Sequence, residues 1–173
     1  MIRVASHPLL TLFASGMSLE RTLLAAQGYL ELGMPGDALR ELDALPWEEQ
    51  GNEDVLQLRL FVFMKGQQWE EALGVCDRLR EESPECATGY IHSAFCLHEM
   101  GRTQEAKEML LGGPAALLRE ATYHYNLGCY DAVLGNVEEA TRHLEASFQM
   151  DKKFREIAKH DPDLKSVQKF LEE

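Results

Sequence analysis

The chain has 173 residues, of which 45% are hydrophobic and 27% charged, and it carries a net charge of −12 at pH 7. That is the length and composition of one globular domain rather than a disordered chain, and no apolar run reaches the roughly 18 residues that would mark a transmembrane helix. The acidity argues against nucleic acid and anionic membrane surfaces, which are held by clustered Lys and Arg; it serves solubility or attracts a basic partner.

Taken from the N-terminus, Ser6 is placed to cap a short helix over about Pro8 to Ala14, ended by Gly16. Ser18 is placed to cap the next, which runs to about Leu32 with Leu19, Leu23, Ala26 and Leu30 on one stripe. A signal peptide is the alternative reading of this weakly apolar start. Gly33-Met34-Pro35-Gly36 reads as a tight turn, and a second helix over about Gly36 to Leu45 stops before Pro46. After the polar stretch from Trp47 to Asn52, the run Val55 to Met64 is apolar nearly all round, broken by Gln57 and Arg59. That run reads as a helix covered on several sides or lining a groove that a partner covers, with a buried strand as the competing reading. Gly66 to Gln68 forms a turn, and Trp69 to Glu81 a return helix ahead of Pro84.

Ala87 to Met100 and Thr103 to Leu111 form a third pair, cut short by Gly112-Gly113-Pro114. Ala115 to Leu134 and Val137 to Met150 form a fourth. Beyond it, Lys152 to His160 precedes Asp161-Pro162-Asp163, where either aspartate suits an N-cap and the proline suits the first turn. In the closing segment Leu164, Val167 and Leu171 point inward, while Lys165, Gln168, Lys169 and Glu172 supply the polar face that the end of a stacked array needs.

An internal period joins these pairs. Asp37-Ala38, Glu71-Ala72, Glu105-Ala106 and Glu139-Ala140 follow one another at steps of 34 residues. A glycine stands five or six residues before each alanine: Gly33, Gly66, Gly101 and Gly135. A Leu or Cys stands four after it: Leu42, Cys76, Leu110 and Leu144. A constant period of this length marks a helix-turn-helix solenoid, and it decides the run Val55 to Met64 in favour of helix. The step from Gly66 to Ala72 is one residue longer than its counterparts, which leaves the first helix of the second repeat open by one residue.

Chemistry-bearing clusters are sparse. His92 and Cys96 share a helix face, but a zinc site wants four converging ligands, and the pair stands alone against His98 and His124 elsewhere; no metal site is expected. Cys76, Cys96 and Cys129 fall inside helical patterns, with Cys86 outside them, and no Cys-x-x-Cys occurs. Buried thiols in a reducing, cytoplasmic setting fit better than a disulfide framework. A Cys-His pair could form from Cys96 or Cys129 with His92, but nothing places a third orienting group. Gly112-Gly113-Pro114 lacks the Lys-Ser or Lys-Thr of a phosphate loop.

The repeated residues resemble the tetratricopeptide repeat, whose pattern is a small residue and an aromatic in helix A, a turn glycine, and an alanine in helix B. The fourth unit carries Asn126-Leu127-Gly128, Gly135, Ala140 and Ala146-Ser147-Phe148. The first carries Ala25-Ala26, Tyr29, Gly33 and Ala38, and the third Tyr90, Ala94, Gly101 and Ala106. The resemblance covers about Ser18 to Met150. It implies an all-α, right-handed superhelical solenoid forming a single domain over 1–173. Residues 1–17 would be an N-terminal cap, 18–150 four helix pairs, and 151–173 C-terminal capping helices.

It also implies a non-enzymatic adaptor without cofactor, whose helix A side chains line a concave groove. That lining would be Leu23, Gln27 and Leu30; Leu56, Leu60 and Phe63, subject to the open register; Ile91, His92 and Phe95; and Tyr125, Asn126 and Cys129. Ordinary inter-repeat core is the alternative role for each. Family members that grip chaperone C-termini use Lys, Asn and Arg at set groove positions, which here hold Leu23, Gln27, Gln57, Thr88 and His92, so a carboxylate clamp is not expected. An apolar or amphipathic protein segment suits the groove better. The alternatives are a small acidic secretion-type chaperone or a homo-oligomeric scaffold, with a metal-dependent or hydrolytic enzyme a distant third. If Ala106 and Ala140 sit at helix crossings, Ala106→Leu and Ala140→Leu each lower stability by about 1–3 kcal/mol through overpacking, read as a fall in the urea midpoint.

Overall fold

The computed structural model describes residues 8–171, with side chains from Leu19 onward; Ser6 and Glu172 lie outside the described residues. All regular structure among the described residues is helical. The chain divides into two compact units, residues 1–68 and 69–173.

The first unit holds α1 (Pro8–Glu31), α2 (Pro35–Asp43) and α3 (Glu53–Lys65). Helix α1 runs unbroken through Gly16 and Ser18, where the sequence suggests a stop and a fresh cap. An interior glycine costs only about 1 kcal/mol against alanine, and no proline lies between Pro8 and Pro35 to remove a backbone N–H. Pro35 opens α2 instead of closing the turn, since its missing N–H is one that a first helical residue leaves unpaired anyway. The run Val55 to Met64 lies within α3, as the period requires.

Ala26, Ala38, Leu42, Leu45, Val55 and Val62 form the core of this unit, with Leu19, Leu23 and Leu58 packed against it. Gln50 fastens the α2–α3 link. Its amide donates to the carbonyls of Leu42 and Leu45 (2.9 and 3.0 Å) and its oxygen accepts from Arg59 Nη2 (2.9 Å), while Arg59 Nη1 reaches Asp43 at 2.6 Å.

The second unit holds α4 (Trp69–Glu82), α5 (Ala87–Glu99), α6 (Thr103–Leu111), α7 (Ala121–Val133), α8 (Val137–Met150), α9 (Lys153–Ala158) and α10 (Gln168–Leu171). Two 3-10 segments, Ala115–Arg119 and Pro162–Val167, interrupt the series. Consecutive helices from α4 to α8 pack on one another. The expected early start of α7 at Ala115 is a separate 3-10 segment instead, and α7 begins at Ala121. Asp161 caps the second 3-10 segment by accepting the Asp163 N–H at 3.0 Å, and Leu164, Val167 and Leu171 enter the core as expected.

Four turns share one geometry. Gly33, Gln67, Gly101 and Gly135 have φ of 74°, 54°, 77° and 83°. At each, the left-handed residue donates to the carbonyl three residues back and its successor donates five back. The longer bonds join Met34 to Tyr29, Gln68 to Phe63, Arg102 to Leu97 and Asn136 to Asp131, at 2.8 to 2.9 Å. This is the Schellman closure of a helix C-terminus. Gly66, the expected turn glycine, has φ −83° and only precedes the turn. The true turn positions 33, 67, 101 and 135 are therefore spaced by 34 without exception, and the extra residue before Ala72 disappears.

With the register settled, the repeated positions explain the packing. Ala38, Ala72, Ala106 and Ala140 are fully buried, and Leu42, Cys76, Leu110 and Leu144 are no more than 1% exposed. The matching helix A position holds Ala26, Ala94 and Gly128; a Cβ on Gly128 would lie 2.7 Å from Leu144 Cγ, closer than packed carbons come. In the second repeat this position holds Leu60. Asp131 occupies the place of Tyr29, Phe63 and Leu97. It is fully buried, with Oδ1 accepting from Lys107 Nζ at 2.6 Å and Asn136 Nδ2 at 2.9 Å. The turn geometry makes a paired prediction. Gln67→Gly raises stability by roughly 0.5–1 kcal/mol, because relief of left-handed strain exceeds the added unfolded-state entropy. Gly135→Ala lowers it by about 1 kcal/mol or more, both read from urea midpoints.

Candidate partner-binding site

In the first unit α1 and α3 lie side by side, and their faces enclose a surface cavity of about 450 Å³. Leu23, Gln27 and Leu30 of α1 line it together with Gln57, Leu58 and Phe61 of α3. Gln57 and Phe61 stand 34 residues after Leu23 and Gln27. Leu56 and Leu60, the lining expected from sequence, have no exposed surface, and Phe63 sits at the turn closure. The one-residue shift follows from Gln67 and not Gly66 being the turn residue. Phe61 is 44% exposed and its ring forms part of the cavity wall beside Leu23, Leu30 and Leu58. The amide of Gln27 donates to Glu31 at 3.1 Å and that of Gln57 to Glu53 at 2.9 Å, so both polar side chains are held along their own helices.

In the second unit the corresponding positions diverge. Ile91, His92 and Phe95 are half-buried on α5, with Trp69 edge-on to Phe95 at 5.8 Å. Burial holds the His92 imidazole below its ordinary pKa. Tyr125 and Cys129, the next steps of the series, are only 6% and 5% exposed because the chain's own C-terminal segment covers them. The Tyr125 ring stacks on Phe154 at 4.9 Å and its hydroxyl donates to Asp161 Oδ2 at 2.6 Å; Cys129 Sγ lies 3.7 Å from the same oxygen. Burial and the Asp161 carboxylate push both the phenol and the thiol well above their ordinary values, so both stay protonated and can donate.

Asp163 continues the anchoring. Its Oδ2 is 3.0 Å from His98 Nε2, whose Nδ1 is 3.0 Å from Thr103 Oγ1. Ser166 Oγ donates to the Ala132 carbonyl at 3.0 Å. A cavity of about 460 Å³ remains between α5, α7 and this segment, lined by Phe95, His98, Glu99, Tyr125, Asn126, Cys129, Tyr130 and Asp161 to Asp163. Among these, His98, Glu99, Tyr130, Asp161 and Asp163 escape sequence reasoning. One signal does point to them: adding 34 to Gly128 and Cys129 gives Pro162 and Asp163, so the segment stands where a fifth helix A belongs and is broken there by the proline.

The remaining candidates place no reaction centre. Cys76, Cys96 and Cys129 are buried free thiols, and Cys96 has no exposed surface to share a ligand with His92. Among the described residues no three His, Cys, Asp or Glu side chains are grouped to hold a metal ion, and no helix is long and apolar enough to cross a membrane.

No protein-family model matches the sequence, and neither does any curated protein. Solved structures do match in three dimensions. MamA from residue 41 to its end, from Desulfovibrio magneticus RS-1, superposes with a TM-score of 0.70 at 18% identity, covering 89% of this chain and 83% of that one. A crystal structure of MamA gives 0.68 at 16% identity, with 84% and 85% covered, and an RS-1 MamA double mutant 0.66 at 16%, with 78% and 75%. The fold is the all-α, tetratricopeptide-like one of MamA. At such low identity the likeness extends to fold alone.

The Tyr125–Asp161 bond makes the clasp over α7 testable. Tyr125→Phe removes one charge-assisted hydrogen bond and lowers stability by about 1–2 kcal/mol. Hydrogen exchange at residues 159–164 is expected to accelerate more than that of α7 itself.

Proposed function

We propose that this protein is a non-enzymatic interaction module that binds an apolar or amphipathic segment of a protein partner along its helix A faces. The observation that carries the reading is Phe61, a 44% exposed phenylalanine beside a cavity whose other walls are Leu23, Leu30 and Leu58. Soluble chains rarely leave contiguous apolar surface open without an interaction to make there. Ile91 and Phe95 offer a second, half-buried apolar stretch on α5.

Two neutral amides, Gln27 and Gln57, border the first cavity and suit the backbone or polar face of a helix laid into a groove. The carboxylate-gripping function of some tetratricopeptide proteins has no support here, since Leu23, Gln27, Gln57, Thr88 and His92 replace the cationic positions. The same resemblance supports a binding module over a catalyst. A second copy of this chain is one partner that the reading accommodates.

The test is Phe61→Ala and Phe95→Ala, singly and together, with thermal melts to show a retained fold. Aromatic anchors at the centre of an interface cost about 2 kcal/mol or more on truncation, so partners co-purified from the source cell and quantified by mass spectrometry fall by about tenfold or more. Undiminished partners with the folded double variant overturn the reading. Concentration-dependent self-association abolished by Phe61→Ala identifies the partner as another copy.

A further inference from the structure

We infer that the cavity between α5, α7 and the C-terminal 3-10 segment receives a cationic side chain, lysine or arginine, of the partner segment; the inference rests on the groove reading above. Three kinds of group converge there. Phe95, Tyr125 and Tyr130 supply aromatic walls, and a cation desolvated against such faces is attracted by their ring quadrupoles. Glu99, Asp161 and Asp163 supply carboxylates. The lining includes no lysine or arginine, and among the described residues none of the three carboxylates is ion-paired to one. The basic side chains that do face the cavity are the imidazoles of His98 and His160, the first of them 3.0 Å from Asp163.

The third group points to a ligand independently of the charges. Tyr130 lines the cavity and is 2% exposed, yet its hydroxyl is buried without a hydrogen-bond partner. Buried hydroxyls are normally satisfied, and leaving one unmade costs its full desolvation. Burial first, then the neighbouring Cys129 and Cys96 thiols and the Asp163 and Glu99 carboxylates, hold this phenol far above its ordinary pKa. The hydroxyl therefore stays neutral, its oxygen lone pairs available, within the field of those two carboxylates.

An ammonium or guanidinium group matches all three features together. It donates to the phenolic oxygen, lies against the rings, and neutralises carboxylates that face histidine imidazoles but no lysine or arginine. An anion would be repelled by the same carboxylates. A metal ion lacks a ligand set, since no three His, Cys, Asp or Glu among the described residues are grouped for one. The other functional cavity, around Phe61, is lined by a single pair of carboxylates, Glu31 and Asp54, and by one ring, so the cationic preference belongs to the second unit.

The experiment uses the full chain and two matched arrays of amphipathic leucine–glutamine helical peptides. In one array a single arginine is walked through every position; in the other, citrulline, its neutral isostere, takes the same positions. At least one arginine register is expected to bind about tenfold tighter than its citrulline twin at low salt, the size of one charge-assisted, partly desolvated contact. The preference disappears in Glu99→Gln and Tyr130→Phe, whose melts stay near that of the parent chain, and persists in Phe61→Ala.

Equal binding of the two arrays overturns the cationic inference and leaves the groove reading standing. Binding of neither array by the parent chain overturns both. An arginine preference that survives in folded Glu99→Gln and Tyr130→Phe places the cation elsewhere and overturns the assignment to this cavity.

Discussion

Each helix pair has to reverse direction within three residues, and the left-handed residue that makes this possible sets every other position in the repeat. Once φ turns positive at 33, 67, 101 and 135, the same two backbone bonds close the preceding helix, and at 33, 101 and 135 the alanine five residues later is buried in a helix that packs on it. Close crossing then excludes large side chains on both helices. Ala38 faces the neighbourhood of Ala26 in one unit, and Gly128 leaves room for Leu144 in the other, where even a methyl group would collide. The outward face of each A helix follows from the same geometry: three residues towards the N-terminus and one residue towards the C-terminus from positions 26, 60, 94 and 128 lie Leu23 and Gln27, Gln57 and Phe61, Ile91 and Phe95, Tyr125 and Cys129.

Much of this was legible from one sequence because the constraint repeats. Helix pairs, crossing alanines and the helical state of Val55 to Met64 all follow from a 34-residue period. The second repeat shows where residue type misleads. Gly66 looks like the turn residue because glycine adopts positive φ without strain, yet Gln67 adopts it, and strict spacing from Gly33 predicts that better than composition does. The misplacement carried straight into the groove, since a one-residue slip on a helix turns a side chain by about 100° and exchanged buried Leu56 and Leu60 for outward Gln57 and Phe61. The continuity of α1 through Gly16 and Ser18 was illegible for another reason: capping residues are permitted within helices, and only the absence of a breaker such as proline tells the two cases apart.

The C-terminal segment was legible as a cap and not as a wall of a cavity. Its apolar residues Leu164, Val167 and Leu171 have the spacing of an inward face and enter the core. Its polar contacts have no periodic signature. Pro162 stops a fifth helix A from continuing past α9, and the resulting 3-10 turn directs Asp161 and Asp163 back towards Tyr125, Cys129 and His98. These bonds join residues 36, 32 and 65 positions apart, a kind of contact that single-sequence periodicity does not address.

One repeat geometry thus yields two chemically distinct faces. In the first unit the outward positions are Leu23, two glutamines and an exposed Phe61, a surface with one aromatic ring among aliphatic and neutral polar side chains. In the second the same positions end beneath a clasp of carboxylates, with aromatic rings and an unsatisfied phenol behind it. A partner segment that only presented apolar side chains would leave the Tyr130 hydroxyl unpaired and the carboxylates uncompensated. If the second unit receives a basic side chain, that group pairs the hydroxyl and meets the carboxylates, and the hydroxyl becomes a source of discrimination, because a site built to receive a donor rejects analogues that lack it.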